Sequence, residues 1–393
     1  MESFAIQGMW QARRDLGWLR HVVIAFALSR VLMLGIFTLV PMISAVPLAE
    51  WNNRDVSIRV GAGDIVQGMQ RVAFANDASF YLNLAKEGYE ERKFDTSRAA
   101  NWAFFPMQPL IWRASSAFTG EWFWSGVLVA NALFFAGLCL LWHLARDLFP
   151  DSQAADDAVT FAAFWPTSYF ASLPQTEALF FVLATLSLLA AARRKWWLVG
   201  VSGLLGGATR VNGVFLAPAA LLEWYRSERR VADLAKIGLV GAGTALFMFH
   251  LWRITGNPLA FKDIQVTWGR ELHAPWTALL GYLSRPHRMV TEWNAEILNF
   301  SMTLLAIASV VTCWRKGWRG IALFTALTVV APLSTGTLMS MTRYIGVAPG
   351  VYLAFAAWSQ QSHRAGQALL IGLVAAMTLL CTLFAAGINV GGA

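Results

Sequence analysis

The sequence predicts an all-α integral membrane protein with many spans, and three observations carry that reading. Of its 393 residues, 57% are hydrophobic and only 14% are charged, against roughly 25% charged in ordinary globular chains. Apolar stretches of about 20 residues, the length that crosses a bilayer, recur from Leu19 to Gly387. Lys and Arg gather in ones, twos and threes at the ends of those stretches, the pattern that sets membrane orientation. At roughly 20 residues per span the apolar content sets a ceiling of about eleven transmembrane helices, and about ten or eleven are expected within a single domain covering 1–393. A soluble enzyme, a secreted disulfide scaffold and a disordered chain are excluded. The net charge of +8 reads as topogenic, with no nucleic-acid partner.

Arg13, Arg14 and Arg20 precede the first span, 21–42, and place the N-terminus in the cytoplasm. No short apolar core followed by a small-residue cleavage site is present, so this run is expected to stay as a helix. Residues 43–101 are too polar for lipid and mix acids with bases; they are expected to form a large first extracytoplasmic loop carrying short amphipathic helices. Residues 102–118 are apolar but interrupted by Pro106 and Pro109, which favours a re-entrant or interfacial piece. Spans are then expected at 122–144, 157–173, 176–192, 196–209, 214–224, 237–252, 297–314, 320–333, 345–358 and 368–386. Several are short for a bilayer of about 30 Å, so broken helices are expected. A second polar loop, 255–296, falls on the same outer side as the first. The basic groups at Arg193 to Lys195, Arg226 to Lys236, Arg315 to Arg319 and His363–Arg364 all fall on the cytoplasmic side, whereas the turns around Pro174 and Thr335 carry no Lys or Arg.

Several polar residues stand where chemistry could happen. Asp77 precedes an apolar spacing that suits a short helix, and two readings fit it: an N-cap worth about 1 kcal/mol, or a general base that takes a proton from an acceptor hydroxyl. Glu177, at an outer helix start, either complements the helix dipole or contacts substrate. Arg210 and Arg343 lie near outer span ends, where no topogenic charge is needed; they either snorkel to headgroups or clamp a phosphate whose charge grows as it leaves. Cys139, Cys313 and Cys381 lack metal-type spacing and read as packing residues. The six histidines form no cluster with ligand spacing, so no metal and no cofactor is expected. Gly203, Gly206 and Gly207 sit inside a span, where small residues mean close helix packing.

The blocks Asp77 with Tyr81 and Gly88-Tyr89, Phe104-Phe105-Pro106-Met107-Gln108-Pro109, Phe164-Trp165-Pro166-Thr167-Ser168, Pro174-Gln175-Thr176-Glu177, Thr209-Arg210-Val211-Asn212-Gly213, Asn257-Pro258-Leu259-Ala260-Phe261 with Trp268-Gly269-Arg270, and Pro332-Leu333-Ser334-Thr335-Gly336 with Ser340-Met341-Thr342-Arg343-Tyr344 run in order along most of the chain. Together they resemble the PIG-V-like mannosyltransferases of the GT-C superfamily of multi-spanning glycosyltransferases. The chain departs from that pattern at Asn76, where relatives often carry Trp, and at Met107-Gln108-Pro109, where Leu-Tyr-Pro is more usual.

The resemblance implies a GT-C type bundle, a sugar donor on a polyprenyl phosphate, and inverting transfer, with mannose as the sugar, to a lipid or glycan acceptor at the extracytoplasmic face of a bacterial inner membrane. Asp77 becomes the base, Arg343, Arg210 and Lys86 the candidates for the donor phosphate, and Tyr81, Glu177, Gln108, Trp268 and Tyr344 candidate substrate contacts. Trp102, Trp276 and Trp293 on outer loops could also stack on sugar faces. The alternative is a lipid-linked saccharide flippase, for which paired repeats would be expected; the sequence has none.

Overall fold

The computed structural model of the chain describes residues 17–44, 62–227, 229–291 and 294–388. Arg13, Arg14, Trp293 and residues 45–61, the first part of the expected outer loop 43–101, lie outside the described residues. In chain order the helices are α1 (Gly17–Ser44), α2 (Ala62–Ala73), α3 (Asp77–Glu87), α4 (Met107–Thr119), α5 (Trp122–Leu148), α6 (Ser152–Ala163), α7 (Thr176–Ala192), α8 (Trp196–Gly207), α9 (Leu216–Tyr225), α10 (Val231–Thr255), α11 (Ala260–Asp263), α12 (Trp276–Leu283), α13 (Glu296–Arg315), α14 (Arg319–Leu333), α15 (Met341–Ile345), α16 (Pro349–Gln361) and α17 (His363–Ala385). No strand is present among the described residues.

Five of these, α1, α5, α10, α13 and α17, are long and apolar enough to cross a membrane, and α7, α8 and α14 are apolar but shorter. Leu28, Val31, Leu128, Leu246, Ile371 and Leu379 are each more than half exposed, an apolar exterior that suits lipid and not water. The buried core lies between α5, α6, α7 and α16, where Leu138, Val159, Phe180 and Phe355 are fully enclosed.

The expected span 157–173 is broken. Helix α6 stops at Ala163, and a buried 3-10 turn, Ser168–Ser172, follows. Pro166 removes a backbone donor there, and irregular backbone at membrane depth survives only when protein groups satisfy it. Arg30 of α1 supplies them: its guanidinium donates to the Ala163 carbonyl (3.2 Å), the Ser168 carbonyl (3.0 Å) and the hydroxyls of Ser168 (3.0 Å) and Ser172 (2.6 Å). The expected span 345–358 likewise divides, into α15 and α16, with Pro349 opening the latter. Helix α9 is preceded by a 3-10 turn, Val211–Phe215, because Gly213 lies directly on the Gly206–Gly207 backbone and leaves no room for a side chain.

Glycine also sets the tightest helix pair. A Cβ at Gly200 would overlap the Lys236 carbonyl, one at Gly203 the Val240 side chain, and one at Gly243 the Leu204 carbonyl, so α8 and α10 meet backbone to backbone.

Both outer loops fold over one end of the bundle. The Phe94 N–H donates to the Thr255 carbonyl at the end of α10 (3.0 Å), the Met107 N–H to the Ala208 carbonyl just past α8 (3.0 Å), and the His273 N–H to the Ser334 carbonyl past α14 (2.8 Å). Trp102, Phe105, Phe261 and Ile264 form an apolar cluster shared by the two loops and the end of α10. Residues 102–118 become a 3-10 turn, Asn101–Ala103, and the 13-residue α4, about 20 Å long and too short to span a bilayer.

Candidate active site

Asp77 opens α3. It is the first helical residue and not the cap: Asn76 takes that position with φ 57° and ψ −129°, makes no side-chain cap, and accepts from the Ser79 N–H (2.9 Å) only through its carbonyl. The capping reading of Asp77 is corrected accordingly. A non-glycine residue in that backbone region costs of order 1–3 kcal/mol and persists only where its surroundings hold it. The Asp77 carboxylate instead accepts from Arg343 Nη1 through Oδ2 (2.6 Å). Its side chain stays 28% exposed while that of Arg343 is 4% exposed.

Arg343 sits on α15, a single turn held from three directions. Thr342 receives the indole N–H of Trp165 (2.8 Å) and the hydroxyl of Thr167 (3.3 Å) at its carbonyl, and its own N–H (2.9 Å) and hydroxyl (2.6 Å) both donate to Asn299 Oδ1 on α13. Gly346 lies against the Trp165 indole with no space for a Cβ. Thus the motif around Trp165 and Pro166 serves to place the motif around Arg343. The guanidinium then donates through Nε to Glu177 (2.5 Å) and through Nη2 to Gln175 (2.7 Å), and lies 4.5 Å from the centre of the Phe170 ring.

Glu177, in the first turn of α7, also pairs with Arg210 (3.2 Å). Its place in the first helical turn suits the dipole reading, and it lies in addition inside a charge network. Two carboxylates face two guanidiniums, so the network of Asp77, Glu177, Arg210 and Arg343 is neutral. Tyr344 bridges outward from it. Its ring lies 5.4 Å from the Arg210 guanidinium and 5.7 Å from that of Arg270, and its hydroxyl accepts from Arg270 Nη1 (2.7 Å). Arg270 has no carboxylate partner among the described residues; its other contacts are Gln265 and Ser340. Gln175 Nε2, Glu177 Oε2 and Arg210 Nη1 are buried without a hydrogen bond, as are Asn212 Nδ2 and Gln108 Oε1 on the adjoining segments. Buried polar atoms are nearly always bonded, so this concentration offers donors and acceptors to a polar guest.

The remaining expected residues are distributed as follows. Tyr81 is buried beside the site with its ring edge-on to Phe104 (5.1 Å); burial raises its phenol above the ordinary range, with Asp77 adding to the shift. Trp268 packs edge-on against Phe80 (6.2 Å) and Phe104 (6.3 Å). Lys86 lies nine residues beyond Asp77, about 13 Å along the helix, and turns to the Trp122 ring (5.4 Å); the fold does not bring it to Arg343. Trp102 is wholly buried, donating to the Glu90 carbonyl (2.8 Å) beneath Arg92, so it has no face for a sugar. Trp276 is exposed. No group of three His, Cys, Asp or Glu that could hold a metal occurs among the described residues. Sequence reasoning passed over Arg30, Gln175, Asn212 and Arg270. The last three lie inside the motif blocks, and Arg30 interrupts an otherwise apolar run.

No family model matches the sequence, and no curated protein matches it. Solved structures do match by fold. The apo crystal structure of the Archaeoglobus fulgidus oligosaccharyltransferase aligns with a TM-score of 0.51 at 12% identity, over 95% of this chain and 56% of that one. The same archaeal enzyme, AglB, in complex with an inhibitory peptide and a dolichol-phosphate aligns with a TM-score of 0.51 at 12% identity, over 96% and 56%. This chain therefore spans little more than half the length of the structures it matches. The likeness is one of fold: the chain shares the fold of this archaeal oligosaccharyltransferase.

Proposed function

We propose that the chain is an inverting glycosyltransferase that moves a sugar from a polyprenyl-phosphate donor to a hydroxyl on a lipid or glycan acceptor at the extracytoplasmic membrane face. Mannose is the sugar proposed, on the strength of the PIG-V-like motif blocks. One observation carries the reading: a partly exposed carboxylate, Asp77, is held by a buried arginine under two outer loops, as a general base needs to be. The fold shared with an oligosaccharyltransferase solved in complex with a dolichol-phosphate supports a lipid-linked donor.

In this scheme the acceptor oxygen attacks the anomeric carbon as Asp77 takes its proton, and the bond to the phosphate oxygen breaks on the opposite face. The leaving phosphate gathers charge, and cations near it lower the barrier. Arg343 has its donors engaged by Asp77, Glu177 and Gln175 and acts by positioning the base. Arg210 and Arg270, flanking Tyr344, are the cations proposed for the phosphate, with the unpaired atoms of Gln108, Gln175 and Asn212 for sugar hydroxyls.

The test is turnover of labelled polyprenyl-phosphate mannose by purified protein with a panel of glycan and lipid acceptors, read by mass spectrometry. Donor-dependent product with inverted anomeric configuration is expected. Translocation of the lipid without any product would establish the flippase instead. A cysteine at Ser284, in the second outer loop, should label only from the outer side; labelling from the cytoplasm alone would overturn both the orientation and the donor argument.

A further inference from the structure

The surroundings of α12, in the second outer loop, divide by angle around its axis. Ala278 and Tyr282, one turn apart, are buried in the bundle core, and Leu279 beside them packs on it. Trp276, Leu280 and Leu283 follow the i, i+4, i+7 spacing of one helical stripe, and each is more than half exposed. Thr277, Gly281 and Ser284 make a third stripe, exposed and with no large apolar side chain. A helix wholly in water has no use for the second stripe, and one wholly in lipid has none for the third. A helix that meets protein, lipid and water lies in the membrane interface.

The depth of α12 follows from the span it rests on. Phe300, Leu304, Ile307 and Val311 share one stripe of α13, at i, i+4, i+7 and i+11. The last three are exposed, as the lipid-facing side of a span should be. Phe300, at the outer end of the same stripe, is half-buried, with the Tyr282 ring of α12 lying 4.7 Å from its own. Helix α12 therefore takes the place on α13 that lipid holds further along. Phe300 is four residues past the start of α13, about 6 Å along its axis. With 20 residues α13 is about 30 Å long, the thickness of the bilayer core. That depth is the boundary of headgroups and acyl chains, into which an amphipathic helix buries its apolar face by roughly 5–10 Å. An indole such as that of Trp276 is enriched at the same level.

We propose that α12 is seated in the outer leaflet, with Trp276, Leu280 and Leu283 in the upper acyl region and Thr277, Gly281 and Ser284 toward water. Trp276 is then a lipid anchor and not a sugar platform. The seat also fixes the segment ahead of it, where the His273 N–H is tied to the Ser334 carbonyl (2.8 Å) and Arg270 lies six residues before α12. Where the glycosyl-transfer reading holds, Arg270 is thereby kept close to the headgroup layer that carries a lipid donor's phosphate. The seating of α12 itself rests on no residue of that reading.

The test uses the full chain with Cys139→Ala, the other two native cysteines being buried. Leu280→Cys, Thr277→Cys or Leu128→Cys, the last on the lipid-facing side of α5, is added singly and labelled with bimane. The protein is reconstituted in phosphatidylcholine vesicles and quenched either by lipid bearing a nitroxide at the headgroup end of its acyl chain or by aqueous iodide. Nitroxide lipid should quench the label at Leu280→Cys several-fold more than that at Thr277→Cys and about as much as that at Leu128→Cys; iodide should reverse the order. Should Leu280→Cys not accumulate, Leu283→Cys on the same stripe is expected to give the same pattern. Strong iodide quenching at the apolar stripe would put it in water. Shielding from both quenchers would put protein there, either residues 45–61 or a second copy of the chain, and each of these two results would overturn the proposal. Absence of transferase turnover would leave the quenching pattern as it is, so the two readings fail separately.

Discussion

Arg343 and Asp77 stand 266 positions apart in the chain and share a hydrogen bond of 2.6 Å. The pair is asymmetric: the arginine is enclosed, while the carboxylate is partly exposed. Because the same guanidinium also grips Glu177 and Gln175 at the start of α7, Asp77 on α3 is tied to α15 and α7 at once. A base held in that way loses little entropy when a substrate arrives.

Replacing Asp77 by Asn separates its charge from its chemistry. Asn still accepts a hydrogen bond from Arg343 Nη1, so accumulation in the membrane should be close to normal. It cannot take a proton, and turnover should fall about 100-fold to 10,000-fold. Asp77→Glu should recover part of that loss, since a displacement of about 1 Å can itself cost 100-fold. Near-normal kinetics in the Asn variant would move the search for a base to Glu87, Glu177 or Asp95.

Arg343→Gln leaves Asp77 and Glu177 sharing Arg210, one negative charge in excess. Breaking a buried pair in this way is expected to cost about 3–5 kcal/mol, read as a drop in melting temperature in detergent. Adding Glu177→Gln restores neutrality, so the double variant should be more stable than Arg343→Gln. Strict additivity of the two changes would show that the residues are not coupled.

Arg210→Gln and Arg270→Gln should each lower kcat/KM for the polyprenyl-phosphate donor, chiefly through kcat, because leaving-group charge is greatest in the transition state. Lys at either position should rescue in part, having lost the planar fork. Wild-type kinetics in both Gln variants would remove these residues from the phosphate site.

The backbone contact between α8 and α10 makes a stability prediction with an internal control. Gly243→Ala drives a methyl into the Leu204 carbonyl, and overpacking of this kind costs about 1–3 kcal/mol. Gly238→Ala lies on the same helix with nothing within 4 Å and should be neutral or stabilise by up to about 1 kcal/mol. Equal melting temperatures for the two would show that the helices do not meet backbone to backbone.

Which parts of this could be read in the chain follows from the reach of each signal. Hydropathy marks long apolar runs, and α1, α5, α10, α13 and α17 are found where it puts them. Breaks were harder to locate: Pro166 and Pro349 were visible, but where a helix resumes depends on tertiary donors such as Arg30. Asp77, Glu177, Arg210 and Arg343 each stood out as charges in apolar surroundings. Their pairing was hidden, since nothing local ties position 77 to 343. Asp77 looked like a cap because acids often are; the strained conformation of Asn76 shifts the helix start by one residue. Trp102 looked available on an outer loop, and became core because Phe105, Phe261 and Ile264 cluster with it.

Arg30 imposes an order on assembly. Its acceptors lie 133 to 142 residues later in the chain, so α1 enters the membrane long before the turn that satisfies its guanidinium has been made. An arginine near the middle of a span costs about 2.5–3.5 kcal/mol on insertion, which the strongly apolar remainder of α1 offsets, leaving a helix that is inserted but unsatisfied until the Ser168–Ser172 turn arrives. The first helix thus waits for the end of the sixth and the turn that follows it before the bundle can close, and the arginine that looks like an interruption in α1 selects the segment that completes it.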